Sequence, residues 1–190
     1  TKPIAEAAQL SDQTKRNELY AEANNATKLH VPLIPVANGA SATVWKAAVE
    51  GAHASPLSNE SFEVVSIPGQ DAFVWMQNAE PLSLYCSDES DGETLRACEQ
   101  VFESLLAYEV GGTDVVPSLA EKCEGNDDAT EWTCTLRSGV QFSDGTPLTA
   151  EDVVATYAVQ WDAANELHTG NTGNWDYWAY IFTAFLNAKQ

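Results

Sequence analysis

The stretch LRSGVQFSDGTPLTAEDVVATYAVQWDAA, residues 136–164, gives the clearest local structural signal in the chain. Its SDGTP segment is typical of a turn, because Ser, Asp, Gly and Pro all favour turn conformations. Thr149 followed three residues later by Asp152 is a capping-box pattern, which predicts a helix from about Ala150 to Ala163. The residues that this helix is expected to bury are Val154, Tyr157 and Trp161.

The segment before it, EKCEGNDDATEWTC at 121–134, predicts a β-hairpin whose turn centres on Asp128 and Ala129. Trp132, Cys134 and Leu136 alternate with threonines, which is the period of a half-buried strand. Strands and helices alternate through the second half of the chain. Since the hairpin is antiparallel, we predict an α/β (α+β) class with a mixed sheet.

Apolar residues and their spacing predict the remaining elements. A helix is expected over 10–30 with Leu19 and Tyr20 towards the core, followed by an edge or crossover strand over 31–39. A short strand is expected at 62–65 and a buried strand at 71–81.

Two further helices are predicted from apolar residues at helical spacing. The first covers 93–109 with Leu95, Cys98, Phe102 and Leu105 on one face, and it stops at Gly111 and Gly112. The second covers 175–187 and follows the segment HTGNTGN at 168–174, which is expected to be flexible. Its core or interface face comprises Trp175, Trp178, Phe182 and Phe185.

The four cysteines bear on the compartment. With the predicted hairpin turn, Cys123 faces Cys134, and Cys86 with Cys98 then closes a loop that enters a helix. This local connectivity is one of three, and it implies an oxidising, extracytoplasmic setting. Free buried thiols in a cytosolic protein are the alternative. The absence of close Cys or His pairs argues against a metal cluster.

The charge balance excludes one class of partner. The 190-residue chain has 28 acidic and 9 basic residues, a net charge of −19. Nucleic-acid binding requires clustered Lys and Arg, which the chain lacks. No apolar run reaches the ~18 residues of a transmembrane helix, and the first residues lack a signal peptide's apolar core. We therefore expect the chain to be soluble as given, with any leader already removed.

No sequence motif indicates catalysis. The chain has no GxSxG, Walker, GxGxxG or HExxH pattern. The acidic pairs at 127–128 and 151–152 lie where a turn and a helix start favour carboxylates for local reasons. The sequence therefore predicts a protein that is not an enzyme and uses no cofactor or metal.

Residues 115–154 resemble the signature region of the extracellular solute-binding proteins of peptide, dipeptide and nickel ABC importers, the bacterial family 5 type. That signature is approximately V-x-P-x-L-A-E-x-W, a hairpin, and then L-R-x-G-V-x-F-x-D-G-x-P-x-T-A-x-D-V. Cys123 and Cys134 stand where the family has two facing aromatic residues, which supports their pairing. The matching positions are Val116, Pro117, Leu119, Ala120, Glu121, Leu136, Arg137, Gly139, Val140, Phe142, Asp144, Gly145, Pro147, Thr149, Ala150, Asp152 and Val153.

The order of the resembling segments is inverted. Residues 1–67 resemble the C-terminal end of the family, and residues 68–190 resemble its N-terminal lobe. The resemblance thus implies one packed lobe of a type II periplasmic-binding-protein clamshell, either fragmentary or circularly permuted. The middle of the family's chain, which builds most of the second lobe, is missing from this sequence.

For function, the resemblance implies non-catalytic binding of a peptide or other small solute in the periplasm or at the cell surface, for delivery to an ABC permease. Any link to the membrane would run through a removed anchor or the permease. Glu80 is the best candidate to hold a cationic group. The predicted ligand-facing residues are Asn78, Ala79, Glu80, Pro81, Leu82 and Tyr85.

A second hypothesis is a remnant structural or interaction module. Such a lobe no longer binds solute and acts through the aromatic C-terminal helix. A second lobe elsewhere in the natural chain favours solute binding, because one lobe supplies only half of a cleft.

Overall fold

Short helices and strands joined by long loops make up the computed structural model, which describes residues 2–34, 36–37, 39 and 42–188. Its helices are α1 (Lys2–Ala7), α2 (Gln13–His30), α3 (Gly92–Glu99), α4 (Ala150–Trp161) and α5 (Asp176–Phe182), with a 3₁₀ turn at Phe62–Val64. Its strands are β1 (Leu106–Tyr108), β2 (Val115–Pro117), β3 (Ala120–Gly125) and β4 (Trp132–Leu136).

Contacts between residues divide the chain into two units. The first contains the described residues up to 42 together with 120–135, and the second contains 43–119 with the described residues from 136 onward. This division is based on contacts in space. The predicted boundary between residues 67 and 68 is based instead on which end of the family each segment resembles, and it remains a prediction.

Helices and small sheets both occur, as the α/β class predicts. The strands form two separate two-stranded sheets, β1–β2 and β3–β4, and no larger mixed sheet is present among the described residues. The one parallel pairing there is an isolated bridge between Asp162 and Leu186. The clamshell lobe and the permuted order stay predictions. None of the described helices combines the length and apolar character needed to cross a membrane.

In the first unit, α2 confirms the predicted helix. The Asp12 side chain caps its start by accepting the N–H groups of Thr14 and Lys15 at 3.0 and 3.1 Å. Leu19 is half-buried as expected, but Tyr20 is exposed, so the prediction that it faces the core is wrong. The helix has no buried residue because only part of its surface packs against α1.

The strand predicted over 31–39 does not form in the residues described there, and Leu33 and Ile34 are 80% and 78% exposed. Prolines in this segment have no N–H to donate to a sheet ladder, which outweighs its apolar character. Pro35 and Asn38 lie outside the described residues.

The β3–β4 hairpin is confirmed. Its turn is closed by the Asn126 N–H, which donates to the Glu131 carbonyl at 2.9 Å. Trp132 does not lie in a half-buried strand as predicted, because it is 57% exposed. Its ring instead covers Gly125 on the opposite strand, where an added Cβ would lie 3.1 Å from the indole.

In the second unit, the helix predicted over 93–109 stops at Glu99. Residues 106–108 then pair antiparallel with 115–117, in a register that puts Ala107 opposite Val116. Gly111, with φ of 70°, lies in the connecting turn. Phe102, expected in the helix core, is 64% exposed. Residues 106–108 therefore form a strand that pairs with β2, although the spacing of their apolar residues predicted a helix.

The capping-box pattern at 149–152 correctly predicts the start of α4. The Asp152 carboxylate accepts both the N–H and the hydroxyl of Thr149 at 2.8 Å, and α4 follows. The burial prediction is only partly right. Trp161 is half-buried and donates its indole N–H to the Ala184 carbonyl, whereas Val154 and Tyr157 are 67% and 46% exposed.

The aromatic C-terminal segment forms a shorter helix than predicted, but its apolar face packs as expected. Trp178 and Phe182 stack with centroids 5.1 Å apart, and Phe182 stacks on Trp161 at 4.5 Å. Trp175 precedes the helix rather than belonging to it and is 1% exposed. This face is therefore part of the core of the second unit.

The short strand predicted at 62–65 is wrong, since Phe62–Val64 forms a 3₁₀ turn. Next to it, Glu50 and Ser66 form an isolated antiparallel bridge through two backbone hydrogen bonds of 2.9 and 3.0 Å. This bridge helps to hold the 3₁₀ turn at the edge of the candidate site.

Candidate functional site

A buried strand was predicted at 71–81, and the structure corrects this for the part at 72–77. It is extended but belongs to no sheet, and among the described residues its backbone has no backbone partner. Its side chains nevertheless alternate: Phe73, Trp75 and Gln77 are half-buried, whereas Val74 and Met76 are 96% and 90% exposed. The segment therefore has the alternating side chains of a strand but only one half-buried face, and it lacks the neighbouring strand that a sheet requires.

The inward side chains pack on the 3₁₀ turn. The ring of Phe62 meets Phe73 edge to face at 5.2 Å and Trp75 at 5.0 Å. Such aromatic pairs contribute about 0.5–1.5 kcal/mol beyond burial of area. This cluster fixes one side of the extended segment and leaves its other face free.

An open groove of about 710 Å³ lies along this segment. An aromatic wall, amide side chains and one guanidinium line it, so it offers both apolar surface and hydrogen-bonding groups. Its lining residues are Phe62, Trp75, Met76, Gln77, Asn78, Ala79, Glu80, Arg96 and Ala97.

Arg96 is the positive group of the groove. Its Nε donates to Glu60 Oε2 at 2.7 Å, and the two side chains are 19% and 9% exposed. Gln100, one helical turn further along the chain, donates to the Glu60 carbonyl at 2.8 Å and accepts the Phe62 N–H at 2.9 Å. The ion pair and Gln100 together attach the segment around 60–62 to α3.

The charge around Arg96 is predominantly negative. Partial burial raises the pKa of Glu99, and repulsion from the Glu60 carboxylate raises it further, while Arg96 acts in the opposite direction. Glu80 adds another exposed carboxylate at the groove. A cationic solute group would therefore find carboxylates nearby.

The predicted ligand-facing residues separate into two groups. Asn78, Ala79 and Glu80 line the groove, whereas Pro81, Leu82 and Tyr85 lie outside its lining. Leu82 is held on α3, because its N–H donates to Thr94 Oγ1 at 3.0 Å. The solute-binding role of all six remains a prediction.

Tyr85 belongs to a different contact network. Its hydroxyl donates to the Leu167 carbonyl at 2.9 Å, and its ring meets Trp175 edge to face at 5.8 Å. Trp175 is also stacked on His168 at 4.3 Å. Tyr85 thus anchors the chain after the groove to the loop before α5.

At the centre of this network lies Asp88, which is 3% exposed. Its carboxylate accepts the N–H groups of Thr172, Gly173 and Trp175 at 2.7, 2.9 and 2.7 Å. It also accepts the Thr172 hydroxyl at 3.1 Å from each oxygen. We call Asp88 with residues 171–175 the Asp88 clasp.

Burial opposes the charge of Asp88, but the backbone donors of Trp175, Gly173 and Thr172 outweigh it and hold the pKa of this carboxyl below its usual value of 3.8. Trp175 has a φ of 52°, a conformation that is rare for a bulky residue. The 2.7 Å bond from its N–H to Asp88 stabilises that conformation.

Sequence reasoning missed Arg96, Phe62 and the Asp88 clasp. It predicted a flexible segment at 168–174, which is rich in Gly and Asn. Those residue types also adopt positive φ, as Gly170 and Gly173 do at 61° and 75°. The signal was therefore present in the sequence, but it did not identify Asp88 as the partner.

Both disulfides of the local connectivity are present. Cys86 is bonded to Cys98 and Cys123 to Cys134, so the structure contains no free cysteine. Within the described ranges, no group of three or more His, Cys, Asp or Glu residues is placed to hold a metal ion.

Comparison with known proteins confirms the resemblance to family 5. Residues 114–181 match the family of bacterial extracellular solute-binding proteins, family 5 (middle). This region contains β2, the β3–β4 hairpin and α4, and it reaches into α5. Family members bind solutes without catalysis.

Several known proteins of this kind are similar to the chain. Heme-binding protein A of Haemophilus influenzae is 30% identical over 159 residues, covering 80% of this chain and 29% of that protein. The dipeptide-binding protein of Escherichia coli is 32% identical over 111 residues, covering 50% of this chain and 21% of that protein. The nickel-binding periplasmic protein of Escherichia coli is 34% identical over 98 residues, covering 50% and 18%. The chain thus spans less than a third of the length of these relatives.

Proposed function

We propose that this chain, whose residues 114–181 are of the family 5 extracellular solute-binding type, provides part of the peptide-binding cleft of an ABC importer's receptor. The observation that carries this proposal is the groove beside residues 72–80. It combines an aromatic wall, an extended backbone and two amide side chains, Gln77 and Asn78.

A peptide is the solute that fits these features. Because the backbone of 72–77 has no backbone partner among the described residues, its N–H and C=O groups are available to an extended ligand. The exposed Glu80 carboxylate suits a peptide amino terminus or a Lys or Arg side chain. Peptide-binding relatives support this choice, among them the dipeptide-binding protein and the oligopeptide-binding protein OppA of Bacillus subtilis.

The rest of the cleft comes from a second lobe. Val74, Met76 and Leu82 are 96%, 90% and 70% exposed beside the groove, and a closing lobe would remove such apolar surface from water. We place the protein outside the cytoplasm, where disulfides persist and an ABC permease receives the solute. The binding cycle is one of lobe closure without bond chemistry.

Calorimetric titration of the oxidised chain with a pool of short peptides tests the proposal. We expect saturable heat that Glu80→Ala weakens severalfold. Glu166→Ala, which removes another exposed carboxylate outside the groove, should leave the heat unchanged. Equal loss in both variants, or equal binding in both, would contradict a role for Glu80.

One observation favours a second candidate, an interaction module without solute binding. Tyr180 and Ile181 on α5 are 85% and 65% exposed. If the folded chain gives no heat with peptides but self-associates, and Tyr180→Ser with Ile181→Ser abolishes that association, the interaction module replaces the peptide receptor.

A further inference from the structure

The loop after the groove is attached to the rest of the second unit at three points. Near its start, Leu82 donates its N–H to Thr94 Oγ1, which in turn donates to the Ser83 carbonyl at 3.1 Å. In its middle, Cys86 is bonded to Cys98 at the end of α3. At its end, the Asp88 carboxylate gathers the amides of Thr172, Gly173 and Trp175.

These attachments form a continuous chain of contacts. Between the first and the last, the Tyr85 N–H donates to Ser83 Oγ at 2.9 Å, and the Asp88 N–H donates to the Tyr85 carbonyl at 3.2 Å. The Tyr85 hydroxyl and ring reach Leu167 and Trp175 directly. A displacement of the 171–175 loop therefore acts on residues 82–85, the continuation of the groove-lining segment.

The residues around Asp88 are tightly packed. Gly170 has a φ of 61°, and a Cβ on it would overlap the Asp88 carboxylate. Next to Asp88, the Glu89 carboxylate accepts the Asn171 side-chain N–H at 2.7 Å, and Glu89 is 4% exposed. Two buried carboxylates thus fasten one short loop that carries no compensating Lys or Arg.

We propose that Asp88 is a positioning residue for the groove: by fastening the 171–175 loop, it holds residues 82–85, which continue the groove-lining segment, in the conformation that receives solute. The inference rests on the proposed function only where it concerns solute. The coupling between the two loops is a property of the ligand-free chain.

Hydrogen exchange of backbone amides tests the coupling without any ligand. In Asp88→Asn, one carboxylate oxygen becomes an NH₂ group that cannot accept. The amides of Thr172, Gly173 and Trp175 should then exchange at least about tenfold faster. If Asp88 positions the groove, the amides of Leu82 and Tyr85 should accelerate as well, although neither donates to Asp88.

Asp144→Asn is the matched control. The Asp144 carboxylate also accepts an N–H and a hydroxyl, both from Thr146 at 2.9 and 2.7 Å, but it is exposed and closes only its own turn. Asp144→Asn should leave the exchange rates of the Leu82 and Tyr85 amides unchanged. Acceleration confined to 172–175 in Asp88→Asn would overturn the proposal, as would equal acceleration of Leu82 and Tyr85 in both variants.

If Asp88→Asn does not fold, judged by exchange of the α4 amides, Thr172→Val replaces it. This variant removes the Thr172 hydroxyl, which donates to Asp88 and accepts the Asn174 N–H at 3.0 Å, and it keeps the backbone donors to Asp88. The backbone amides of Leu82 and Tyr85 should again exchange faster, but by a smaller factor than in Asp88→Asn. Unchanged exchange at Leu82 and Tyr85, with faster exchange at 172–175, would refute the coupling here too.

Solute binding supplies a reciprocal test, because a coupling between two sites acts in both directions. The same pool of short peptides should slow exchange at Thr172, Gly173 and Trp175, and Asp88→Asn should lower affinity by about tenfold while Asp144→Asn does not. Peptide binding that leaves these amides unchanged would contradict the proposal. If no peptide binds the wild-type chain, the proposed function fails, while the ligand-free exchange still decides the coupling.

Discussion

Two irregular segments of the second unit contrast in how they are held. Residues 72–77 are apolar and read as a strand, yet they have no backbone partner among the described residues and contact their surroundings through one face. Residues 171–174 are polar and read as part of a flexible loop, yet a buried carboxylate accepts two of their amides and that of Trp175, the next residue. Local order therefore follows from where the backbone amides find acceptors, and apolar character alone does not provide it.

The largest test of this contrast is Asp88→Ala. The substitution leaves the amides of Thr172, Gly173 and Trp175 without their acceptor in a site that is 3% exposed at Asp88. We expect the free energy of unfolding to fall by roughly 3–5 kcal/mol, measured by urea denaturation. Asp71→Ala, at an exposed position, should change it by less than about 0.5 kcal/mol. Similar values for the two variants would mean that the clasp is not what orders the loop.

Two glycine substitutions, with smaller expected effects on the free energy of unfolding, distinguish steric crowding at Asp88 from the cost of backbone conformation. Gly170 and Gly173 have similar φ values of 61° and 75°, but only a Cβ at Gly170 would collide with Asp88, whereas at Gly173 the nearest atom, the Thr169 carbonyl oxygen, lies at 3.6 Å. Gly170→Ala should therefore destabilise the chain by about 2–3 kcal/mol and Gly173→Ala by about 1 kcal/mol. Thermal unfolding of both variants measures the difference. If the two variants lose the same free energy of unfolding, the inference of tight packing around Asp88 is wrong.

The clasp also predicts a dependence on pH. Since the folded-state pKa of Asp88 lies below 3.8, its charged form stabilises the fold above that pH, and the stabilisation is lost as the pH falls from 3.8 through the folded-state value. Urea midpoints should therefore fall more steeply below about pH 4 in the wild type than in Asp88→Asn. Comparing the two removes the contribution of the other aspartates. Parallel curves would show that Asp88 does not titrate in this way.

The smallest effect is expected on the exposed face of 72–77. Val74→Thr with Met76→Gln should change the free energy of unfolding by less than about 0.5 kcal/mol, because the two residues are 96% and 90% exposed. Trp75→Ala, on the opposite face, should cost about 1–3 kcal/mol through its lost contact with Phe62. A large cost for the exposed pair would indicate that this face is covered, for instance by a second copy of the chain.

Local signals in the sequence predicted local structure well. The Thr149–Asp152 capping box, the turn at Asp144 and Gly145, and the hairpin closed by Cys123 and Cys134 all form as predicted. In each case, the groups that make the stabilising contacts lie within about a dozen residues of one another, so the sequence contains both partners.

Predictions that depended on a distant partner succeeded less often. The helix spacing at 100–109 was overridden by pairing of β1 with β2, and the apolar run at 72–77 found no neighbouring strand. The resemblance to a family led to Asn78, Ala79 and Glu80 at the groove, but not to Arg96, whose partner Glu60 lies 36 residues away. A single sequence carries no signal for such a pair.

The two disulfides also bear on how the chain matures. They join cysteines 12 and 11 residues apart, while the nearest mispairing, Cys98 with Cys123, spans roughly twice that distance. Each doubling of the separation lowers the chance that two thiols meet by about threefold. Oxidation of the nascent chain thus favours the native pairs from the start. Each pair lies within a single unit, so neither covalent bond requires the other unit to fold first.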